Sequence, residues 1–343
     1  MMNLTATTEI VLPGIVQPCG LLVRERTLPA PAAGQALVQV DASGVSFAEM
    51  GMRRGRYPGQ PKFPFVPGYD FVGTVREVGP GVSQELVGTR VAAPTKTGAW
   101  STHLLISASH LVPVPASLEP EWIETVLLNG VTAWQMLYRL ARARAGQTIL
   151  VHGASGGVGT NLVQLAVHQG MRVIGTAAPR HHDALRSMGA EPIDSRDKNL
   201  AARVLELSPD GVHAAFDHLG LESAQTSFKL LTRGGTLVAY GTAAVLDSRS
   251  IASEFMALLG QVLLWNALPN SRRATFYNFW GGNSVNPVGF RKRFSEDLTQ
   301  VLELVSSGAV VPQIAARFPL TEVRAAMELA ESHTVSGKVV LIP

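Results

Sequence analysis

The sequence predicts an α/β fold that combines a β-rich domain with a doubly wound parallel sheet. Two observations carry this expectation. Short strand-like segments separated by turns occupy the first part of the chain, whereas strands and helices alternate in the middle. A length of 343 residues is typical of about two domains. With 46% hydrophobic and 16% charged residues, the composition is that of a folded globular protein.

Residues 1–125 are predicted to form the β-rich domain. Three segments alternate apolar with polar positions and are rich in β-branched side chains: 36–42, 70–78 and 89–93. Turns such as Gly79-Pro80-Gly81 separate them, which is typical of a barrel-like or rolled β domain. We expect residues 285–343 to rejoin and complete this domain. Helices are expected there at 294–306 and 321–331, and a strand at 338–342.

Residues 126–284 are predicted to form the parallel-sheet domain. Strands are expected at 148–152, 171–176, 214–217 and 236–240. Helices are expected at 131–143, 158–168 and 183–188. Strands that alternate with helices form βαβ units, which place the strands in one parallel sheet with helices on its faces.

A glycine-rich motif stands at the start of this domain, in the stretch Thr148–Gly159, TILVHGASGGVG. Glycine at the turn positions lets a dinucleotide pyrophosphate approach the backbone, and a helix N-terminus offers N–H groups and a favourable dipole. A strand before the turn and a helix after it are the context of a Rossmann dinucleotide site. The predicted cofactor-binding residues of this motif are Gly153, Ser155, Gly156, Gly157, Val158 and Gly159.

The end of the second strand favours NADP over NAD. NAD sites usually place an acid there to bind the ribose 2′-hydroxyl. Here Thr176 is followed by Ala-Ala-Pro and then Arg180, without an acid. A guanidinium binds a 2′-phosphate well, and Ser195 and Arg196 stand at the next strand end to add contacts. We therefore predict NADPH as the cofactor; the alternative is that Arg180 is only a surface charge.

Several classes of protein and of site are excluded by composition. The single cysteine, Cys19, cannot form an internal disulfide, so a reducing, cytoplasmic location is expected. The net charge is +3 and the basic residues are scattered, which argues against a nucleic-acid partner. No uninterrupted apolar run reaches about 18 residues and no signal peptide is recognisable, so no membrane span is predicted.

Six segments spread over nearly the whole chain form a combined pattern. They are Ala42–Tyr57, Pro67–Gly81, Leu128–Trp134, His152–Gly159, Gly234–Gly241 and Ser336–Val340. On these segments the chain resembles the medium-chain dehydrogenase/reductase superfamily, in its zinc-free quinone oxidoreductase branch. The resemblance implies a GroES-like β-rich catalytic domain, a Rossmann NADP-binding domain, a cofactor in the cleft between them and a homodimer.

The positions that hold zinc ligands in other members of that superfamily carry different residues here. Zinc-dependent relatives have a Cys after Gly-Ile or Gly-Val, then Gly-His-Glu, then a Cys at the start of the cofactor domain. Those positions hold Ser46, Gly68-Tyr69-Asp70 and Asn129. Ser and Tyr are poor zinc ligands, an isolated Asp cannot make a site, and one cysteine cannot build a four-cysteine zinc loop. No metal is predicted.

Without zinc, a substrate carbonyl is polarised only by hydrogen bonds, so an acceptor that is already electron-poor is favoured. Quinones and conjugated enones or enoyl thioesters fit, and the resemblance points to the same classes. It also implies that Tyr57 donates a hydrogen bond or a proton to the enolate, although packing alone explains Tyr57 equally well. The predicted catalytic residues are Tyr57, Ser46 and Asn129. Thr132, which is implied to face the nicotinamide, and Gly241, Phe276 and Lys338 complete the predicted cofactor-binding residues.

Three functions remain open. The first is an NADPH-dependent reductase of quinones or conjugated enones. The second is a trans-acting enoyl reductase of a polyketide-type biosynthetic pathway, favoured by Gly51, which stands where some quinone reductases have a Tyr and leaves a wider pocket. The third is an NADPH-binding protein with little turnover. The apolar segment 250–268 is predicted to be a helix in the core or at a dimer interface, with a cover for the cleft or a lipid contact as alternatives.

Overall fold

The computed structural model describes residues 4–243, 251–332 and 334–343, which form two units. The first unit combines residues 1–128 with 312–343, and the second contains residues 129–311. The β-rich and parallel-sheet architectures predicted from the sequence are both confirmed. The boundary near residue 285 differs, because the second unit continues to Val311 instead of ending at 284.

The first part of the first unit is built mainly from antiparallel strands. They are β1 (Thr5–Val11), β2 (Leu22–Leu28), β3 (Gln35–Val45), β4 (Asp70–Val78), β5 (Arg90–Pro94), β6 (His103–Ser107) and β7 (Val112–Pro113). Two helices belong to the same part, α1 (Phe47–Arg53) and α2 (Pro120–Leu127). Strands β3 and β4 bury Val38, Val40, Phe71 and Val75 in one apolar core. Because successive side chains of a strand point to opposite faces, alternate residues such as these lie on the same side of the sheet.

The second unit contains a six-stranded parallel sheet. Its strands are β8 (Thr148–Val151), β9 (Arg172–Ala177), β10 (Ala190–Asp194), β11 (Val212–Asp217), β12 (Leu231–Ala239) and β13 (Arg273–Phe276). Its helices are α3 (Asn129–Trp134), α4 (Gly157–His168), α5 (His182–Ser187), α6 (Leu200–Leu207), α7 (Leu221–Lys229), α8 (Ile251–Ala267) and α9 (Pro287–Ser306). The strand order is β10-β9-β8-β11-β12-β13, so the chain reverses direction across the sheet between β8 and β11. Ligands of such sheets bind at this switch point, beyond the carboxyl ends of the strands.

Helix α9 is the reason for the shifted boundary. Asp297, which is 1% exposed, accepts a hydrogen bond from Gln135 Nε2 at 2.7 Å and pairs with Arg139 Nη2 at 2.6 Å. Phe290 and Phe294 are also buried. Because both partners of Asp297 lie at 135–141, in the π-helical turns that follow α3, the helix packs within the second unit.

Helix α8 corresponds to the apolar segment predicted at 250–268, of which Ser250 lies outside the described residues. One face buries Leu258, Val262 and Trp265 in the core of the sheet. Met256 and Leu263 on another face are 64% and 72% exposed. Core packing therefore explains the apolar residues on one face of this helix but not those on its exposed face. Across the residues that the structure describes, no helix is long and apolar enough to span a membrane.

The end of the chain returns to the first unit as β14 (Ile314–Pro319), α10 (Val323–Glu331) and β15 (Lys338–Ile342). Strand β15 pairs in parallel with β14 and antiparallel with β3, which completes a seven-stranded sheet. From Pro312 onwards, the tail therefore belongs to the β-rich unit.

Candidate functional site

The glycine-rich turn, residues 152–159, connects β8 to α4 and has no room for side chains at two of its glycines. Gly153 has a φ of +61°, and a Cβ there would overlap the His218 ring. A Cβ on Gly159 would lie 2.7 Å from Ala154 Cα and would overlap the Gly153 carbonyl. Helix α4 can approach the turn this closely because Gly159 lacks a side chain, and His218 can approach it because Gly153 lacks one.

The start of α4 is open to a ligand. Gly156 is its N-cap residue and provides no side-chain cap, so the first backbone N–H groups of the helix lack that partner. Gly156 is exposed, whereas Ser155, Gly157 and Val158 are half-buried. Uncapped N–H groups and the helix dipole favour an anion at this end. The turn therefore fits the pyrophosphate of a dinucleotide.

A buried polar network supports the turn from behind. Thr176 Oγ1 accepts a hydrogen bond from Gly153 N at 3.3 Å and lies 3.3 Å from His152 Nδ1. His152 Nε2 lies 2.9 Å from Ser227 Oγ, which donates to Asp217 Oδ2 at 2.8 Å. These four side chains are at most 2% exposed. Thr176, predicted as a cofactor contact, thus holds the backbone of the turn in place; sequence reasoning missed the other three.

The predicted 2′-phosphate residues follow two neighbouring strands at the carboxyl edge of the sheet. Arg180 is exposed in the turn after β9, where its Nε lies 3.2 Å from His181 Nε2. Ser195 and Arg196 are exposed after the neighbouring strand β10, and Ser195 N donates to Ala177 O at 2.9 Å. Burial and then the Arg180 charge lower the pKa of His181, which favours its neutral form beside the guanidinium.

Asn129, predicted as a catalytic residue, and Gly241, predicted as a cofactor-binding residue, both lie close to the same turn. The Asn129 amide occupies the space that a Cβ on Gly157 would need. A Cβ on Gly241 would lie 3.2 Å from His218 Cβ, and His218 itself covers Gly153. The structure therefore brings Asn129, Gly153, Gly157 and Gly241 together. His218, at the end of β11, was not singled out from the sequence and carries no motif of its own.

Two further predicted residues of the second unit make contacts of their own. Thr132 is 9% exposed, and its hydroxyl lies 3.4 Å from Tyr277 Oη, which also lies 3.0 Å from Gln135 Oε1. Burial raises the pKa of Tyr277 strongly, so this hydroxyl stays protonated. Phe276 ends the edge strand β13 and packs edge-on against Phe255, with ring centroids 5.0 Å apart.

In the first unit, Ser46 and Tyr57 lie at the two ends of α1. Ser46 is the N-cap, and its hydroxyl and backbone N–H both bind the buried Glu49 carboxylate. Tyr57 is half-buried after the helix, and its hydroxyl contacts that of Tyr69. Burial raises the pKa of Tyr57; the Tyr69 hydrogen bond opposes this shift, and the Glu49 charge adds to it.

Lys338 lies in a buried cluster of the first unit. Its Nζ is 3.1 Å from Glu124 Oε1 and 3.9 Å from Asp70 Oδ2. Burial alone would lower the pKa of Lys338, but these carboxylates outweigh it and raise that pKa. Burial in turn raises the pKa of Asp70 well above its usual range, although Lys338 opposes this. We call Glu49, Asp70, Glu124 and Lys338 the Lys338 cluster.

Three residues stand where zinc-dependent members of the resembled superfamily have zinc ligands, and each makes a different contact here. Ser46 caps a helix, Tyr69 contacts Tyr57, and Asn129 lies over Gly157. In the part of the chain that the structure describes, no group of three His, Cys, Asp or Glu side chains is arranged to hold a metal ion.

Comparisons with known proteins assign the chain to a family. Residues 32–116 match the family described as alcohol dehydrogenase GroES-like domain, and residues 188–341 match the family described as zinc-binding dehydrogenase. The synaptic vesicle membrane protein VAT-1 homolog of Rattus norvegicus is 30% identical over 326 residues, which cover 92% of this chain and 78% of that protein. The chain belongs to the medium-chain dehydrogenase/reductase superfamily.

Within the medium-chain dehydrogenase/reductase superfamily, the quinone oxidoreductase branch is confirmed by structural similarity. Escherichia coli quinone oxidoreductase, solved in complex with NADPH, superposes with a TM-score of 0.85 at 27% identity, covering 98% of this chain and all of that one. A mycocerosic acid synthase-like polyketide synthase of Mycobacterium tuberculosis is 30% identical over 340 residues. That match covers 97% of this chain but 15% of the synthase, so the chain resembles one part of a much longer protein.

Proposed function

We propose that the chain is an NADPH-dependent, zinc-independent oxidoreductase that transfers hydride to a quinone or a conjugated enone. The observation that carries this proposal is the open glycine-rich turn at the switch point of the parallel sheet, with Arg180 at the neighbouring strand end. The NADPH complex of the similar Escherichia coli quinone oxidoreductase supports the choice of cofactor.

In this proposal, different residues of the second unit bind different parts of the cofactor. The first N–H groups of α4 and the glycine-rich turn bind the pyrophosphate. Arg180, Ser195 and Arg196 bind the 2′-phosphate, because a guanidinium forms paired hydrogen bonds with phosphate oxygens. Asn129, Thr132 and Gly241 border the nicotinamide, while Phe276 adds an apolar wall. When bound, NADPH supplies the hydride.

The first unit contributes the proton in this proposal. Tyr57 is the acid because its hydroxyl is half-buried, protonated at neutral pH and hydrogen-bonded to a second phenol. Ser46 acts indirectly, since its hydroxyl is committed to Glu49. We leave Lys338 out of the cofactor site because its side chain is 3% exposed and its ammonium lies near the carboxylates of Glu124 and Asp70.

Zinc independence is proposed because the positions that hold zinc ligands in relatives carry Ser46, Tyr69 and Asn129. Without a Lewis acid, the substrate must already be electron-poor, which favours quinones and enones over simple ketones. Metal analysis of the purified protein tests this directly. Stoichiometric zinc, with activity lost on chelation and restored by zinc alone, would overturn it.

A second candidate is a trans-acting enoyl reductase of a biosynthetic pathway. It is favoured by the match to the mycobacterial polyketide synthase and by Gly51, whose missing side chain leaves space beside Tyr57. A Cβ on Gly51 would lie 3.6 Å from Tyr57 Cβ, so a larger residue would fill this space. A low-turnover NADPH-binding protein is the third alternative.

One assay separates these candidates. NADPH oxidation is measured with a panel of quinones, small enones and enoyl thioesters of increasing chain length. We expect turnover with quinones or small enones. Preference for long enoyl thioesters, with kcat/KM at least tenfold higher, would favour the second candidate. Tight NADPH binding without turnover of any acceptor would favour the third and reject the proposal.

We also propose a cytoplasmic homodimer. The exposed lone cysteine is compatible with a reducing compartment. Among the described residues, β13 pairs only with β12, so one edge of the parallel sheet is available for a second copy. Light scattering at several protein concentrations tests the assembly, and a monomer throughout would reject it.

A further inference from the structure

The two phenols of the first unit form a pair that the proposed function does not yet explain. Tyr69 is 6% exposed, and its ring meets that of Tyr57 edge-on with centroids 5.7 Å apart. The two hydroxyl groups are in direct contact. We propose that Tyr69 is a positioning residue: it donates its hydroxyl hydrogen to the Tyr57 oxygen, which leaves the Tyr57 proton for the reduced substrate. This inference rests on the proposed role of Tyr57 as the acid.

The backbone of Tyr69 is held on both sides. Its N–H donates to Glu49 Oε1 at 2.7 Å, and its carbonyl accepts from Thr95 N at 2.8 Å and Lys96 N at 3.1 Å. The preceding Gly68 has a φ of +102°, and a Cβ there would lie 2.6 Å from the Ala99 carbonyl carbon. Since only glycine fits at that position, the loop presents Tyr69 in one orientation.

Glu49 provides the second half of this support. One carboxylate oxygen binds the Tyr69 N–H, and the other accepts from Ser46 N at 2.9 Å and from the Ser46 hydroxyl. The carboxylate is 1% exposed and therefore cannot turn toward solvent. The helix cap at Ser46 thus positions Glu49, which positions Tyr69, which in turn contacts Tyr57.

Among the groups that act on the Tyr57 hydroxyl, Tyr69 favours release of the proton. Burial raises the pKa of Tyr57, and the Glu49 charge raises it further, whereas the Tyr69 hydrogen bond lowers it. Lys338 faces Glu49, and Lys96 Nζ lies 3.3 Å from where a Cβ on Gly59 would stand, in the turn after Tyr57. Without the Tyr69 hydroxyl, Tyr57 becomes a weaker acid.

For an enone, the proposed reduction accounts for every bond, electron pair and proton. The hydride adds to the β-carbon, and the π electrons of the carbon–carbon double bond move toward the carbonyl, which becomes an enolate. The α-carbon takes the proton of Tyr57 as the O–H bond breaks, and the electron pair stays on the Tyr57 oxygen. The Tyr69 O–H donates to this phenolate until water returns the proton. Loss of this hydrogen bond to a charged oxygen should lower the rate about tenfold.

The test compares Tyr69→Phe, Tyr57→Phe and the double variant, with Tyr138→Phe as the matched control. We expect Tyr69→Phe to lower kcat about tenfold with little change in KM, because the ring and its packing remain. Since Tyr57 must be protonated to act, and its pKa rises without Tyr69, the alkaline fall of kcat moves to higher pH. The double variant should be no slower than Tyr57→Phe, and the control should behave as the parent protein.

An ultraviolet titration of the phenols gives a readout that needs no turnover. The chain has 5 tyrosines; burial raises the pKa of Tyr138 to about 12 and those of Tyr240 and Tyr277 further. The Tyr57 ionisation is obtained as the difference between each protein and its Tyr57→Phe counterpart. We expect it at higher pH in Tyr69→Phe than in the parent. Circular dichroism establishes that each variant is folded.

The outcomes separate the two proposals. If Tyr57→Phe keeps full activity, Tyr57 is not the acid, and the inference is rejected with that role. If Tyr57→Phe is slow while Tyr69→Phe matches the parent in both kcat and the Tyr57 titration, only the inference is rejected. If no acceptor is reduced, the proposed function is rejected. The titration still tests the inference in that case: an unchanged Tyr57 ionisation in Tyr69→Phe would show that Tyr69 does not act on the Tyr57 hydroxyl.

Discussion

In the second unit the glycine-rich turn and the strand before it form one continuous stretch, residues 148–159, whereas the Lys338 cluster of the first unit draws on four positions that are distant in sequence. Half of the residues in the glycine-rich turn are glycines, and the proposed function of the turn depends on the side chains that these glycines lack. The Lys338 cluster consists of charged side chains that only the folded chain brings together. Substitutions should therefore act differently, by steric overlap in the turn and by unpaired buried charge in the cluster.

The largest effect is expected in the Lys338 cluster, for Lys338→Met. Removing the ammonium leaves buried carboxylates without their counter-charge, so the free energy of unfolding should fall by about 3–5 kcal/mol at neutral pH. Denaturant unfolding measures this. Lys292→Met, an exposed lysine on α9, is the control and should change little.

This loss should depend on pH. Burial raises the pKa of Asp70 and of Glu124 in the folded protein, Lys338 opposes this shift, and the Glu49 charge adds to it, so both pKa values rise further without Lys338. The folded state of the variant then binds more protons than the unfolded one. Its stability falls as pH rises above the usual carboxyl range, and the deficit shrinks as pH is lowered. A deficit that is equal at acidic and neutral pH would contradict the buried-charge explanation.

In the turn, Gly159→Val is expected to have a smaller effect on stability but to abolish cofactor binding. The added side chain overlaps the Gly153 carbonyl and Ala154, so the turn must shift away from α4. We expect a loss of about 1–3 kcal/mol in the free energy of unfolding and no measurable NADPH binding. Gly260→Ala is the control, because its Cβ meets nothing within 4 Å and alanine favours a helix. Normal NADPH affinity in Gly159→Val would separate the turn from the cofactor.

The smallest effect is expected for Arg180→Ala, which removes one exposed charge and leaves the fold intact. NADPH affinity should fall about tenfold while NADH affinity stays the same, as expected for loss of one charged hydrogen bond to the 2′-phosphate. Fluorescence titration of both cofactors measures the ratio. Arg203→Ala, whose exposed guanidinium pairs with Glu206, is the matched control. Equal weakening of both cofactors would contradict the 2′-phosphate assignment.

The same contrast explains what the sequence could predict. The turn and its flanking elements are local, so the strand predicted at 148–152 and the helix predicted at 158–168 each lie within one residue of β8 and α4. The Tyr57–Tyr69 contact depends on the loop at Gly68, which no short motif encodes. Lys338 entered the predicted cofactor set through the family-like ending of the chain, whereas its burial depends on Asp70 and Glu124 from elsewhere.

The shifted boundary has the same physical origin. The helix predicted at 294–306 exists, starting at Pro287, but hydrophobic periodicity does not show which unit it joins. Its assignment depends on Asp297 and its partners Gln135 and Arg139, more than 150 residues earlier in the chain. His152 and Ser227 were missed for a similar reason, since each resembles an ordinary core or surface residue until the network around Asp217 is assembled.

The position of β15 has a consequence for synthesis. Residues 129–311 are contiguous, so the second unit has all of its strands once that stretch has left the ribosome. The first unit is split around it, and its sheet places β15 between β14 and β3. Strand β3 must therefore remain without this neighbour while more than 290 residues are translated, at about 5–20 residues per second. We expect the second unit to become protease-resistant first in nascent chains, with the amino-terminal strands protected only after residues 338–342 emerge.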